Sequence, residues 1–370
     1  MRVHAVFEGG GVRGIALAGA VRAAEMFGVS FDRVAGTSSG SIVAALIAAG
    51  YSAEEMKAII EATPFASFLH RAPLFNVRVV GPALRLFLFN GLYSGDELER
   101  WVRDLLAAKG VRTFGDLPRG KLRIIASDIT NERLLVLPDD IEKYGTDPEK
   151  FPVARAIRMS ACIPYFFDPV PLRVKGEADV PGKTAWIVDG ALLSNFPLWL
   201  FDKEMENERE RTPVIGFRMV GRAEAKTHDI RGPVTMLQAL VETMLHAHDE
   251  RYIERHNQMR TIQIPTLGVG TTEFNLSPEK SLELYVSGLK AGIAFFRKWP
   301  ETAGQVAQIQ DMAVQVAQIQ EAGERGGDES RMMAEDRAAK IASGNGDSVA
   351  PDSRPAPSIR FASRRDSRPQ

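Results

Sequence analysis

The sequence predicts an α/β protein built on one central, mostly parallel sheet. Two observations carry this. Over the first fifty or so residues, short apolar strands alternate with Ala- and Leu-rich stretches of helical length. Similar apolar runs then recur down the chain at Leu122–Ser127, Ala185–Val188 and Val214–Met219. Strand and helix in alternation is the pattern of a parallel sheet with helices on its faces.

Arg2–Phe7 reads as a buried strand, followed by glycines. Ile15–Phe27 reads as a helix stopped at Gly28, and Arg33–Ala35 as a second short strand. Ser41–Ala49 is a second helix, stopped at Gly50. Ser52 and Glu55 have capping-box spacing and start a third helix through Met56–Ala62, before Pro64. Leu122–Ser127 and Leu134–Leu137 are strands around a turn near Asn131-Glu132. Thr235–His256 reads as helical, and Leu282–Trp299 places Leu282, Tyr285, Leu289 and Phe296 at helical spacing.

The expected organisation is a domain over 1–300, an amphipathic helical segment over 301–320 and a disordered tail over 321–370. In the segment, Val306, Ile309, Ala313 and Val316 would line one helix face, against the domain or against a partner helix. The tail carries nine acidic and nine basic residues and few large apolar ones, so it is neutral yet too polar to build a core.

Composition narrows the function. A net charge of −1 argues against a general nucleic-acid binder. One cysteine, Cys162, excludes an intrachain disulfide and any site of several thiolates. The N-terminus has no leader pattern. The apolar part of the charge-poor run after Val34, Ile42–Ala49, has eight residues, far short of the roughly 20 that span a bilayer. The expectation is therefore a cytoplasmic protein.

Gly36-Thr37-Ser38-Ser39-Gly40 fits G-x-S-x-G between an expected strand and an expected helix. Small flanking residues allow a sharp turn that exposes the serine, and the helix N-terminus favours negative charge there. Gly9-Gly10-Gly11-Val12-Arg13-Gly14 follows the first strand. Its bare amides suit an oxyanion hole. They also suit phosphate, because Gly9, Gly11 and Gly14 spell G-x-G-x-x-G with Asp32 eighteen residues on. Against a dinucleotide site, Asp32 is expected before the second strand rather than at its tip. Trp186-Ile187-Val188-Asp189-Gly190-Ala191 is an apolar strand ending in an acid, and ligands gather at such strand ends.

Together these stretches resemble the patatin-like phospholipases. Gly9–Gly14 resembles that family's glycine-rich hole, Gly36–Gly40 its nucleophile elbow, and Asp189-Gly190-Ala191 its D-G-[GA] motif. Arg158–Pro164 and Leu92–Asp96 resemble two further family stretches. The resemblance runs from about Val3 to about Trp299 and omits the tail. It implies a three-layer α/β/α fold and hydrolysis of lipid acyl esters, with a phospholipid or other acyl-ester lipid as partner and neither cofactor nor metal. It further implies Ser38 as nucleophile and Asp189 as its base. Gly9, Gly10, Gly11, Arg13, Gly14 and Ser39 would form the oxyanion hole, with the amides of Gly10, Gly11 and Ser39 as donors. Gly36, Gly40 and Gly190 would support the elbow and the acid. Arg13 would either meet a lipid phosphate or brace its loop. Burial against Trp186, Ile187 and Val188 would raise the Asp189 pKa toward a useful value.

The alternatives are a general carboxylesterase on small esters, and a nucleotide-binding or regulatory protein using Gly9–Gly14. A Ser-Asp-His triad could draw on His246 or His248, which sit in a polar helical stretch. Those two are a poor metal pair, since residues two apart do not share a helix face. Leu74–Leu92 is apolar with Arg78 and Arg85 inside, which suits lid or core packing, or peripheral membrane contact.

Overall fold

The computed structural model describes residues 1–69, 85, 88–173, 183–205, 212–221 and 259–299, with isolated positions between 230 and 243. The expected helix over 235–256 (those positions apart), the 301–320 segment, the tail and most of 74–87 lie outside the described residues.

The N-terminal elements follow the sequence pattern closely. They are β1 (Arg2–Phe7), α1 (Ile15–Met26), β2 (Ser30–Thr37), α2 (Ser39–Ala48) and α3 (Ala53–Ala62). The Ser52–Glu55 capping box forms in both directions. β2 begins three residues earlier than expected, because Ser30 and Phe31 pair with Arg2 and Val3 of β1. Asp32 therefore lies inside β2, at the end away from Ser38.

The middle of the chain adds β3 (Gly91–Tyr93), α4 (Asp96–Ala108), β4 (Leu122–Asp128), β5 (Arg133–Leu137) and α5 (Val153–Ser160). Next come β6 (Tyr165–Phe167), β7 (Val170–Arg173), β8 (Thr184–Asp189) and α6 (Trp199–Met205). β9 (Val214–Val220), β10 (Thr261–Pro265) and α7 (Pro278–Phe296) complete the described chain.

Eight strands form the main sheet, in the order β10-β9-β1-β2-β4-β8-β7, with β5 on β4. The pairs from β10 to β4 are parallel, and β5, β7 and β8 are added antiparallel. Alternate side chains of a strand reach opposite faces. Val3, Ala5 and Phe7 enter the large core shared with α1, α2, α5 and α7. Val6, Ala35 and Ile125 enter a second core with Leu200 and Phe201 of α6. Helices thus cover both faces, which makes three layers. α1 and α7 approach so closely that a Cβ on Gly288 would stand 1.8 Å from the Ala16 carbonyl oxygen.

One piece of register matters for function. β2 pairs with β4 only as far as Thr37–Ile125, and β8 with β4 from Asp128–Ile187 to Ala126–Asp189. β2 and β8 run in opposite directions against successive parts of β4. Their C-terminal ends therefore meet tip to tip beside the Ile125–Ala126 peptide.

Candidate active site

Ser38 follows β2 and caps α2 with φ 52° and ψ −126°. A non-glycine residue rarely adopts such a backbone, and it persists only where its surroundings enforce it. Here the enforcement is explicit. The Ser38 amide donates to Ser160 Oγ at 2.8 Å, and Ser160 Oγ donates to the Ile125 carbonyl at 2.6 Å. The Ser38 carbonyl accepts Ser41 Oγ at 2.6 Å. The turn leaves no room beside it: a Cβ on Gly36 would lie 2.3 Å from Gly40 O, and one on Gly40 2.3 Å from Phe7 O.

Asp189 is the last residue of β8 and is 1 % exposed. Its Oδ2 accepts Ser38 Oγ at 2.8 Å, and its Oδ1 accepts the Ala191 amide at 2.9 Å. Its own amide donates to Cys162 O at 2.8 Å. Burial pushes its carboxyl from 3.8 up to about 7, against the lowering effect of the Ala191 and Ser38 hydrogen bonds. One expected contributor to that burial is corrected. Trp186 is 42 % exposed, because the pleat of β8 turns it away from the core that holds Ala185 and Ile187.

The glycine loop lies across Ser38. Asn195 Nδ2 donates to Gly9 O at 3.2 Å. The Gly10 amide, expected to face an oxyanion, instead donates to Ser39 Oγ at 3.1 Å. Gly11 has φ +58°, and a Cβ there would stand 2.0 Å from Thr271 O. Gly14 has no room for a Cβ against the Ser39 side chain, which a methyl would approach to 2.7 Å. Arg13 is buried and its Nε donates to Gly10 O at 3.1 Å, which is the geometry of a loop brace. Gly190 packs on β4, where a Cβ would meet Ile125 O at 2.2 Å. Gly9, Gly10, Gly11, Arg13, Ser38 and Asp189 line one small open pocket, about 270 Å³ counted to its mouth, with Asn195 and Thr271. Asp32 does not join it. It sits at the opposite end of the sheet, hydrogen-bonded to Arg2, so the dinucleotide arrangement is not assembled.

Residues 5–202, more than half of the chain, match the patatin-like phospholipase family and include all three motifs above. The chain belongs to the patatin-like phospholipase family. Patatin-like phospholipases are lipid-ester hydrolases. Among similar proteins, YqhO of Bacillus subtilis (strain 168) is 44 % identical over 300 residues, covering 81 % of this chain and 99 % of YqhO. The NTE family protein MT2641 of Mycobacterium tuberculosis is 28 % identical over 255 residues, which is 66 % of this chain but only 37 % of that protein. Among solved structures, VipD from Legionella pneumophila aligns with a TM-score of 0.46 and 17 % identity, over 79 % of this chain and 66 % of that one.

This patatin-like phospholipase domain has a second cavity that opens on Ser38. It is an apolar cleft of about 770 Å³, counted to its open mouth. Apart from Ser38 and Ser39, its walls are glycine and apolar side chains, from Val12 and Ile15 through α2 and α3 to Phe68 and Trp101. A polar cavity and an apolar one therefore meet at one hydroxyl.

Ser160, Ser41 and Asn195 hold the elbow and the loop, and sequence reasoning assigns them no role. Ser160 lies within the Arg158–Pro164 stretch, which offers the signal that could have found it. Cys162 is fully buried, and its thiol donates to Asp168 O at 3.0 Å; burial pushes its pKa up, away from a reactive thiolate. His246 and His248 lie outside the described residues. Among the described residues, no group of three His, Cys, Asp or Glu could hold a metal ion, and no helix is long and apolar enough to cross a membrane. Of the two arginines in 74–92, Arg85 is buried and bidentate to Asp168 at 2.7 Å, so it offers no charge to a membrane surface. Leu88 and Phe89 beside it are about half exposed.

Proposed function

We propose that the protein is a serine lipid acyl hydrolase of phospholipase A or lysophospholipase type, working through a Ser38–Asp189 dyad. The observation that carries this reading is the 2.8 Å hydrogen bond from Ser38 Oγ to a buried carboxylate, at the mouth of an apolar cleft. Ser38 Oγ attacks the ester carbonyl carbon as its proton passes to Asp189 Oδ2. The tetrahedral oxyanion is held by the Gly11 and Ser39 amides, and by the Gly10 amide once it leaves Ser39 Oγ. Collapse expels the alcohol, which takes the proton from Asp189 and leaves an acyl-serine. Water then attacks the acyl carbon, Asp189 again takes and returns the proton, and the fatty acid leaves. A carboxyl near pH 7 in affinity suits both directions of transfer. No cofactor enters these steps.

The catalytic domain takes residues 1–300, followed by the 301–320 helical segment and the tail. The enzyme is cytoplasmic and touches membranes peripherally through 74–92, where Leu88 and Phe89 are exposed.

A panel of defined phospholipids in vesicles, with the released fatty acid identified, tests the reading. Wild type should release fatty acid and react with a fluorophosphonate probe; Ser38→Ala should do neither while keeping its fold. His246→Ala and His248→Ala should each retain most activity. A folded histidine variant as inactive as Ser38→Ala would replace the dyad by a triad. Turnover of short esters without any release from vesicles would favour a general carboxylesterase.

A further inference from the structure

We propose that the apolar cleft takes the acyl chain of the ester, and that Ile42 and Leu46 of α2 gauge its length. The inference rests on Ser38 being the nucleophile. Ser38 stands at the N-terminus of α2, and both Ile42 and Leu46 line the cleft. Residues four apart lie one above the other on a helix face. At about 1.5 Å of rise per residue, Ile42 lies about 6 Å and Leu46 about 12 Å from Ser38 along the axis. An extended alkyl chain, with C–C bonds of about 1.5 Å and near-tetrahedral angles, advances roughly 1.25 Å per carbon. Ile42 then flanks about the fifth carbon and Leu46 about the tenth.

The facing wall shows why the chain stays in the cleft. Phe68 and Trp101 pack with ring centroids 5.3 Å apart, and both also line a separate groove. That groove carries Glu97, Arg100 and Asp104. An alkyl chain passing the aromatic pair would exchange apolar walls for charged ones, which is unfavourable. The ligand that fits is a single aliphatic chain of medium length, held along α2 with its carbonyl at Ser38.

The test uses the full-length protein and p-nitrophenyl esters from acetate to palmitate, each rate normalised to the same variant's acetate rate. For wild type, kcat/KM should rise roughly fourfold per added methylene as each is buried, and break at about ten carbons. Leu46→Phe should shorten the break by a few carbons, and Ile42→Phe should bring it to about five. Decanoate should then lose at least about tenfold relative to butyrate in Ile42→Phe. Where a Phe variant does not fold by thermal melting, Leu46→Ala decides, since it should move the break to longer chains. Breaks that stay at the wild-type length in folded variants would overturn the gauge. A wild type that turns over no ester and takes no fluorophosphonate label would instead overturn the hydrolase reading itself, and the gauge with it.

Discussion

Replacing Asp189 by Asn should abolish ester hydrolysis and at the same time stabilise the fold, by an amount that depends on pH. Burial holds the Asp189 carboxyl at about 7, against 3.8 for an ordinary aspartate. About three pH units at roughly 1.4 kcal/mol each is on the order of 4 kcal/mol. The sign follows from proton counting. Between about pH 4 and pH 7 the folded protein keeps a proton that the unfolded chain has released, so stability falls as pH rises through that window. Above pH 7 the full penalty of a buried charge is present. Asparagine carries none of it, and its Oδ1 can still accept the Ala191 amide while its Nδ2 donates to Ser38 Oγ. At pH 8.5 the variant should therefore melt several degrees above wild type, at about 2 °C per kcal/mol for a domain of this size. The gap should close toward pH 4. Wild-type kcat/KM on a butyrate ester should rise with pH through about 7, because only the carboxylate can accept the serine proton. Thermal melts and initial rates at half-unit intervals from pH 4 to 9 read both effects. A melting gap that does not change with pH, or a variant with substantial turnover, would refute the reasoning.

Three further outcomes are expected. Ser160→Ala removes the hydroxyl between the Ser38 amide and Ile125 O, and should cost about 1–3 kcal/mol in denaturant melts, with kcat lowered more than KM is raised. Gly11→Ala meets Thr271 O and a positive φ; it should lower turnover about 100- to 1,000-fold through misdirected amides, whereas loss of nucleotide binding with esterase spared would favour the phosphate-loop alternative. Truncation before Glu321 should leave the melting temperature and short-ester rates nearly unchanged, and a clear drop in melting temperature would mean that the removed segment docks on the domain.

What was legible in the sequence was local. The run from β1 to α3 reads directly, because each element announces itself within a few residues: glycine stops, a capping box, a small-residue turn. α4 is not anticipated, although Leu98, Val102 and Leu106 are buried at four-residue steps along Asp96–Ala108. β6, β7 and β10 are only three to five residues long, too short for alternation to stand out. In the site, Ser38 and Asp189 carry motifs of their own and lie within hydrogen-bond reach. The Gly10–Ser39 bond joins residues 29 apart, and the Ser38–Ser160 bond residues 122 apart. No local pattern encodes such contacts. The exposure of Trp186 follows from strand parity, which the four-residue apolar run Ala185–Val188 obscures.

The tip-to-tip meeting of β2 and β8 makes the chemistry modular. Ser38 and Asp189 are 151 positions apart in sequence, yet one peptide of β4 sets their spacing. Lengthening or rewriting the chain between β2 and β4 leaves that spacing intact as long as β4 keeps its register, and so does a change between β5 and β8 that spares Ser160 and Cys162, which hold the Ser38 and Asp189 amides. A one-residue slip in β4 would instead part the two side chains. Evolution or design can therefore remodel α3, α4 and the cleft they line for new lipids, while the Ile125–Ala126 peptide tolerates no insertion.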